Sequence, residues 1–398
     1  MSESKYAQAG VNFEKEHDVV EVMVKVGRET LKNIQDLEEW GITFPEEGSD
    51  FSGSISFDLE ALVNKGVKRM VQSGGVDGPG SKPVVHALYN GDNPIKLGCT
   101  AIDSIAMCAN DVLCSGARPF TILEYHSWHD IDLEVAKQMA QGKLLAAELS
   151  KAAIIGGENA SLSAMITGPA PKKAYDMCNT VLGLITGREL IDNPLGEGRI
   201  KPGDIAIGLS SSGIHCNGVT LVWTTAIDYK NKVYAEAARI NQKVASLGES
   251  VAEALLTPTI IYVDPVLEML GFYGSDIHAI ANITGEGVHN MRRVLSEGTG
   301  LQLDYSNKDV QKPHPIFGWV QEKADIPTRE MYEDYNMGTG IVVFASQDTA
   351  PDVIKHLNEL GQKQTRQEKF SAYKLGNVVE DSERKIKIKI HQGTEKIY

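Results

Sequence analysis

The sequence predicts a mixed α/β or α+β protein with two domains. Its 398 residues exceed the roughly 100–200 residues that one hydrophobic core usually serves. Short β-rich runs alternate with helical patterns in both halves. Between these halves, the segment Asp192–Lys201 concentrates Pro, Gly and Asn, which favour turns. We therefore expect an N-terminal domain over residues 1–195 and a C-terminal α/β domain over residues 196–398.

Apolar periodicity and β-rich runs indicate the elements of the N-terminal half. Helices are predicted over Glu14–Leu37, Ile102–Ser115 and Leu133–Ser150. Strands are predicted over Gly66–Ser73, Phe120–Tyr125, Ala153–Ile155 and Asn179–Thr186.

The C-terminal half repeats the alternation of strands and helices. The predicted elements are Asp204–Ser210, Ile277–Ile280, Gly287–Leu295, Gly340–Ala345 and Asp352–Leu360. In Arg384–Ile390, Lys and Ile alternate, which is typical of a half-buried strand. We expect its lysines to form a solvated sheet edge that discourages pairing with other chains.

Composition narrows the function classes. A hydrophobic content of 42% and a charged content of 23% are close to the soluble average and do not favour disorder. The net charge of −14 argues against a general binder of nucleic acids or anionic membranes. Five cysteines without a C-x-x-C pair suggest neither a disulfide framework nor a zinc site. No apolar signal core or bilayer-spanning stretch occurs, so we expect a cytoplasmic protein.

A glycine-rich loop, Asp77–Lys82, is the first candidate site. Glycines let a backbone approach a phosphate closely, an Asp can bind magnesium, and a Lys adds a cation. The loop lacks the P-loop pattern G-x-x-x-x-G-K-[ST], which excludes that class of ATPase. Taken alone, it fits a surface turn equally well.

Carboxylates and amides form a second group. Asp103, Asn110 and Asp111 are spaced to lie near one face of a predicted apolar helix, where burial without a cation is costly. A magnesium–phosphate cluster would provide the cation; helix capping or a surface pair is the alternative. Glu158 follows an apolar run and two glycines. This pattern either places a carboxylate at the end of a sheet, where ligands often bind, or forms an ordinary tight turn.

The C-terminal half carries two further loops. The segment Ser210–Gly218 offers small residues and free amides before a predicted helix, which favours anion binding. His215 within it is a candidate acid–base group or phosphate donor. Thr284–Gly287 follows another strand. Neither a G-x-S-x-G elbow nor an H-E-x-x-H helix occurs, so magnesium–phosphate chemistry fits better than covalent catalysis.

The order of these motifs resembles the aminoimidazole ribonucleotide synthetase (phosphoribosylformylglycinamidine cyclo-ligase) family. The resemblance covers roughly residues 5–380. The motifs, in chain order, begin at Ala9, Asp77, Asp103, Gly116, Gly156, Ser211, Leu256, His278 and Glu330. The segments Thr257–Tyr262 and His278–Gly285 are the most specific to this family. The Asp and Gly loops are shared with a wider superfamily that includes selenophosphate synthetase and thiamine-monophosphate kinase.

The resemblance implies a homodimer whose N-terminal domains build a shared barrel-like sheet. It also implies an ATP- and Mg²⁺-dependent ring closure acting on a phosphoribosyl substrate in purine synthesis. The catalytic residues it implies are His215, Asn217 and Lys82. Those implied to bind ATP are Asp77, Gly78, Gly80, Ser81, Asp103, Asn110, Asp111 and Glu158, with magnesium on Asp77, Asp111 and Glu158. Substrate binding is implied for Ser211, Ser212, Gly213, Thr284 and Gly285.

Several positions depart from the family pattern and keep alternatives open. Val76 and Asn159 each replace a usual Thr, Pro79 a usual Val, and Glu286 a usual Gly. Pro79 removes an amide donor, and Glu286 would repel a phosphate unless it faces away or binds a cation. A related ATP-dependent phosphotransferase and a non-catalytic nucleotide-binding dimer are the alternatives.

Overall fold

The computed structural model describes residues 13–44, 53–196, 198–228, 234, 236–390 and 393–397. The motif that begins at Ala9 lies outside these residues. Two large sheets organise the described chain; the strands of the first end at Ile185 and those of the second begin at Ile205.

The N-terminal sheet has four strands in the order β3–β6–β4–β5. These strands are β3 (Val71–Asp77), β4 (Arg118–Trp128), β5 (Ala153–Ser161) and β6 (Tyr175–Ile185). β6 pairs antiparallel with β3 and β4, and β4 pairs parallel with β5. Two short strands, β1 (Ile42–Thr43) and β2 (Ser56–Phe57), form a separate ribbon. Within one chain the four-stranded sheet is open rather than closed into a barrel.

The C-terminal sheet has seven strands in the order β13–β12–β9–β11–β7–β10–β8. They are β7 (Ile205–Ser210), β8 (Ile277–Asn282), β9 (Thr299–Asp304), β10 (Thr339–Ala345), β11 (Ala372–Glu380), β12 (Ile386–Ile390) and β13 (Gly393–Ile397). Only the β12–β9 pair is parallel. β12 is paired on both sides, so the prediction that its lysines form a sheet edge was wrong; β13 is the edge strand.

Helices cover both sheets. In the N-terminal half they are α1 (Phe13–Thr30), α2 (Leu59–Asn64), α3 (Lys82–Leu88), α4 (Pro94–Cys114), α5 (Leu133–Leu149) and α6 (Arg188–Asp192). In the C-terminal half they are α7 (Val219–Ala226), α8 (Val251–Leu255), α9 (Val263–Tyr273), α10 (Pro315–Ala324), α11 (Thr328–Asp334) and α12 (Ala350–Gln362). Short 3₁₀ segments occur at Leu31–Trp40, Pro171–Lys173, Ala237–Asn241 and Gly287–Arg293.

Helix α4 joins the two halves. It packs on β3, β4 and β6 of the N-terminal sheet and also contacts β8 of the C-terminal sheet. One hydrophobic cluster therefore combines Ile105 of α4 with Ile207 and Ile280 of the second sheet. The helix begins eight residues earlier than predicted, because the Asn93 side chain caps it and Pro94 suits its first turn.

Two predicted strand ends were misplaced. β3 continues to Asp77, so this carboxylate ends a strand instead of lying in a loop. β5 runs through Gly156 and Gly157 to Ser161, so the glycines do not terminate it. In the described residues we find no helix of the length and apolar character that crossing a bilayer requires.

Close contact between α4 and α5 generates a stability prediction. A Cβ added to Gly142 would lie 2.2 Å from the carbonyl oxygen of Gly98. We expect Gly142→Ala to separate the two helices and to lower the free energy of unfolding by roughly 1–3 kcal/mol, measured by urea unfolding. Gly271→Ala in α9 is the matched control, because its Cβ would meet nothing within 4 Å. Equal effects of the two substitutions would contradict the close-packing explanation.

Candidate functional site

Four segments meet at one end of α4 to form the candidate site. They are the end of β3 with the loop after it, the C-terminal half of α4, and the loops after β7 and β8. A Cβ on Gly80 would lie 2.9 Å from the carbonyl oxygen of Cys216, and a Cβ on Gly285 would lie 3.2 Å from Asn217 Oδ1. Glycine at both positions therefore allows the loops to approach each other.

Two carboxylates, Asp77 and Asp111, project into the region where β3 packs on α4. Asp77 projects from the sheet face that packs on α4, the same face as Gly75, whose added Cβ would lie 3.8 Å from Asp111 Cβ. Asn282, at the end of β8, donates a 2.8 Å hydrogen bond to Asp111 Oδ1. Burial raises the pKa of Asp111 and Asp77 adds to this rise, while the Asn282 hydrogen bond opposes it. Two acidic oxygens that repel each other favour a bound cation.

The glycine-rich loop turns tightly against α7. Gly78 donates to Asp77 Oδ1 at 2.7 Å, and a Cβ on Gly78 would lie 2.7 Å from the Met177 carbonyl oxygen. Gly80 has φ +59°, a conformation that favours glycine. Ser81 Oγ lies 2.8 Å from Thr220 Oγ1 and so connects the loop to α7.

The loop after β7 contains the predicted anion-binding residues. Ser211 N–H donates to the Gly338 carbonyl at 2.9 Å, and Ser212 Oγ donates to the Pro258 carbonyl at 2.6 Å. Gly213 has φ +152°, and a Cβ added there would meet nothing within 4 Å. Open space therefore borders the loop at Gly213.

His215 lies beneath this loop. It is buried and has φ +59°, which is uncommon for a residue with a side chain. Its Nε2 accepts the Ser212 N–H at 3.3 Å. Burial lowers the pKa of His215 to about 3, with a contribution from Lys82. The imidazole is therefore neutral near pH 7 and holds a backbone amide.

The loop after β8 completes the site. Asn290 Oδ1 accepts the Thr284 N–H at 2.7 Å and fixes the start of the turn. Glu286 is paired with Arg293 at 2.8 Å, with both side chains exposed. The extra carboxylate thus has a cationic partner at the rim of the site. Asn217 Nδ2, next to Gly285, is buried and has no hydrogen-bond partner among the described residues.

Three of the predicted site residues, Lys82, Asp103 and Asn110, are buried in the protein interior. Lys82 is fully buried; its ammonium lies 2.8 Å from Asp103 Oδ2, 3.0 Å from the Thr257 carbonyl and 3.7 Å from Cys99 Sγ. These partners account for its three donors. Burial disfavours the charged form, but Asp103, Cys99 and Cys216 together outweigh it, so the pKa of Lys82 is raised.

Asp103 and Asn110 of α4 bind the backbone of the C-terminal half. Asp103 Oδ1 accepts the Thr259 N–H at 2.7 Å. Asn110 donates to the Ile260 carbonyl at 2.9 Å and accepts from the Tyr262 N–H at 3.1 Å. Asp103 and Asn110, which were predicted to bind ATP, and Lys82, which was predicted to be catalytic, therefore have their hydrogen-bonding groups occupied inside the protein.

Glu158 is separated from the other predicted metal ligands. Its register partner on β4 is Tyr125, whereas Asp77 aligns through β6 with Glu124. Because side chains alternate along strands, Glu158 projects from the sheet face opposite to Asp77. Three strand spacings, about 14 Å, also separate them. One chain therefore does not assemble the predicted set Asp77, Asp111 and Glu158.

Sequence reasoning gave no role to three asparagines that shape the site. They are Asn282, Asn290 and Asn336. Asn282 and Asn336 lie in motifs that resembled the family, and Asn336 follows α11 closely. Asparagine side chains are common in turns and helix caps. The sequence does not indicate which distant residues these three asparagines bind.

Two family models and a set of curated proteins match this chain. The model of the AIR synthase related protein N-terminal domain matches residues 74–185, and that of the C-terminal domain matches residues 201–389. Phosphoribosylformylglycinamidine cyclo-ligase of Desulfotalea psychrophila is 31% identical over 362 residues, 91% of each chain. That of Methanocaldococcus jannaschii is 33% identical over 356 residues, 89% of this chain and 88% of its own.

Among solved structures, Escherichia coli HypE, a hydrogenase maturation protein, shares the fold. It is 17% identical with a TM-score of 0.57, covering 91% of this chain and 94% of its own. This likeness supports the two-sheet architecture alone. The family models and the curated relatives together show that the chain belongs to the phosphoribosylformylglycinamidine cyclo-ligase family.

Proposed function

We propose that this protein catalyses the ATP-dependent cyclisation of formylglycinamidine ribonucleotide to aminoimidazole ribonucleotide, with release of ADP and phosphate, in de novo purine biosynthesis. The convergence of the Asp77–Asp111 carboxylate pair with the loop Ser211–Asn217 carries the proposal. Family membership over most of the chain supports it.

The chemistry suits a site made of backbone amides and carboxylates. The formyl amide oxygen is a poor leaving group until ATP phosphorylates it. The amidine nitrogen then attacks that carbon, phosphate leaves, and the imidazole ring closes. The protein must hold two phosphate-bearing ligands together and stabilise the transferring phosphoryl group, mainly by positioning and electrostatics.

Asp77 and Asp111 are the proposed magnesium ligands on the ATP side. Among the described residues, no group of three or more His, Cys, Asp and Glu side chains is arranged to hold a metal. Two carboxylates still fit, because protein-bound Mg²⁺ is usually held by one or two carboxylates together with substrate phosphates. When bound, the ion neutralises phosphate charge. Gly78, Gly80 and Ser81 would lie along the phosphates.

The loops after β7 and β8 are the proposed substrate side. Gly213 would offer its amide to the ribose phosphate, with Thr284 and Gly285 opposite. The amides of Ser211 and Ser212 are taken by the Gly338 carbonyl and by His215 Nε2, so these two residues would border the phosphate and shape the loop. Asn217 supports this, because its buried Nδ2 has no partner among the residues that the structure describes. A catalytic role for Asn217 or His215 stays a prediction.

Lys82, Asp103 and Asn110 are proposed to position the site rather than to contact ligands. Their hydrogen-bonding groups are occupied by the segment Thr257–Tyr262 and by each other. That segment in turn holds Ser212 through Pro258. These residues would therefore act on the substrate side through the backbone.

We also propose that the protein is a cytoplasmic homodimer. The face of the four-stranded sheet opposite to α4 carries exposed apolar side chains, with Val76 at 69%, Tyr125 at 40% and Leu123 at 38% exposure. An apolar sheet face of this kind favours burial against a second copy. Glu158 projects from the same face, so a dimer would make it available to the partner's site.

The decisive test is an assay of the purified protein with formylglycinamidine ribonucleotide, ATP and Mg²⁺. We expect ADP release coupled to formation of aminoimidazole ribonucleotide. Tight ATP binding without product would instead indicate a nucleotide-binding dimer. Phosphoryl transfer without ring closure would indicate a related phosphotransferase.

Asp111 gives the sharpest metal test. We expect Asp111→Asn to lower kcat at least about 100-fold, because one of two adjacent metal-binding carboxylates is lost. Asp276→Asn is the control: it makes the same chemical change just before β8, at the end of the strand opposite to Asn282. Steady-state kinetics across a Mg²⁺ titration provides the measurement, and unchanged Mg²⁺ dependence in Asp111→Asn would remove Asp111 from the site.

The exposed sheet face gives an oligomer test. We expect Val76→Arg to convert the dimer into monomers, because it places a charge on the apolar face. Phe272→Arg is a matched control, since Phe272 is 70% exposed but lies on α9. Light scattering after size exclusion measures the mass, and a dimer that survives Val76→Arg would argue for another interface.

A further inference from the structure

Asn336 is buried directly behind the anion-binding loop. It lies between α11 and β10 and is 2% exposed. Its Nδ2 donates to the Gly213 carbonyl at 2.9 Å and to the Ile214 carbonyl at 3.2 Å. Its Oδ1 accepts from Gly338 N–H at 2.9 Å and lies 3.0 Å from Ser211 Oγ. One amide group thus holds most of the loop.

The orientation of this amide is determined by its partners. A backbone N–H can only donate, so the atom facing Gly338 N–H must be the side-chain oxygen. The nitrogen therefore faces the two loop carbonyls. The Thr339 N–H donates to the Asn336 carbonyl, and the Ser211 N–H donates to the Gly338 carbonyl, both at 2.9 Å. These bonds keep the two segments in register.

Because Asn336 holds the carbonyls of Gly213 and Ile214, the N–H groups of the same peptides point in the opposite direction. The N–H groups of Gly213, Ile214 and His215 donate to no acceptor among the described residues. Gly213 borders open space, with room for a ligand beside its backbone. Successive backbone N–H groups without partners form a concave anion site, or nest. Such a site works only if the carbonyls of the same peptides are kept away from the anion.

We propose that Asn336 is a positioning residue that shapes the loop Ser211–His215 into the binding site for the phosphate of the ribonucleotide substrate. This inference rests on the proposed function. Asparagine suits the task because it donates and accepts without adding a negative charge near a bound phosphate. An aspartate would present oxygen to both carbonyls and lose the donors.

The test compares Asn336→Asp with Asn241→Asp. Asn241 also joins two backbone groups, Asn90 N–H at 3.2 Å and the Leu88 carbonyl at 2.8 Å, but lies outside the loops of the site. KM for the ribonucleotide, KM for ATP, kcat and Tm are measured for both variants. For Asn336→Asp we expect the ribonucleotide KM to rise at least about ten-fold, with the ATP KM unchanged. Asn241→Asp should lower Tm without changing either KM.

The outcomes distinguish a failure of the proposed function from a failure of the positioning role of Asn336. An inactive wild-type protein would overturn the proposed function itself. An active wild type whose Asn336→Asp and Asn241→Asp variants behave alike would overturn only the positioning role. If Asn336→Asp does not fold, Ser211→Ala takes its place, because it removes one contact with Asn336 Oδ1. A rise in the ribonucleotide KM alone then supports the inference, and an unchanged value overturns it.

Discussion

The buried pair Lys82–Asp103 is the interaction on which the rest of the structure depends. Removing two charges from water costs several kcal/mol per ion, and this cost is offset only when the pair is close and the remaining donors and acceptors are satisfied. Here the ammonium has three acceptors, and Asp103 also accepts the Thr259 N–H. The pair therefore anchors the segment Thr257–Tyr262 in the core, where an unpaired peptide group would cost about 1–3 kcal/mol. Tyr262 donates its hydroxyl to the Ser210 carbonyl and so connects α4 to the start of the loop after β7.

Local patterns predicted most helices and strands because periodicity is a local property. They did not predict the roles of the polar residues on α4. The sequence indicated that a carboxylate on this apolar helix needs a cation, and that requirement was met. The cation is the Lys82 ammonium, and Thr259, whose N–H also donates to Asp103, lies 156 residues away. Partners so far apart in the sequence are determined by how the two halves of the chain pack. The periodicity of apolar residues does not show this packing.

Glu158 illustrates a second limit, which concerns the face of a sheet. The two glycines before it suggested a strand end, but the strand continues and its pairing shifts between Ile122 and Leu123 of β4. A shift of one residue reverses which side chains face the helices. Glu158 therefore shares a face with Tyr125 and not with Asp77. The residue type favoured metal binding, whereas its location was decided by an irregularity in register.

A chain with a net charge of −14 has to limit repulsion wherever it would bind phosphates. In the described site, one set of side chains would bind a cation and another set holds the loops. The carboxylates Asp77 and Asp111 are near enough for Asp77 to raise the pKa of Asp111, and a bound cation would balance them. The loops that would face phosphate are held by the neutral amides of Asn290 and Asn336, and by a neutral His215. Glu286, the one carboxylate added beside these loops, is paired with Arg293. Loop geometry is thus fixed without unbalanced negative charge, which is the condition for placing two phosphate-bearing ligands together.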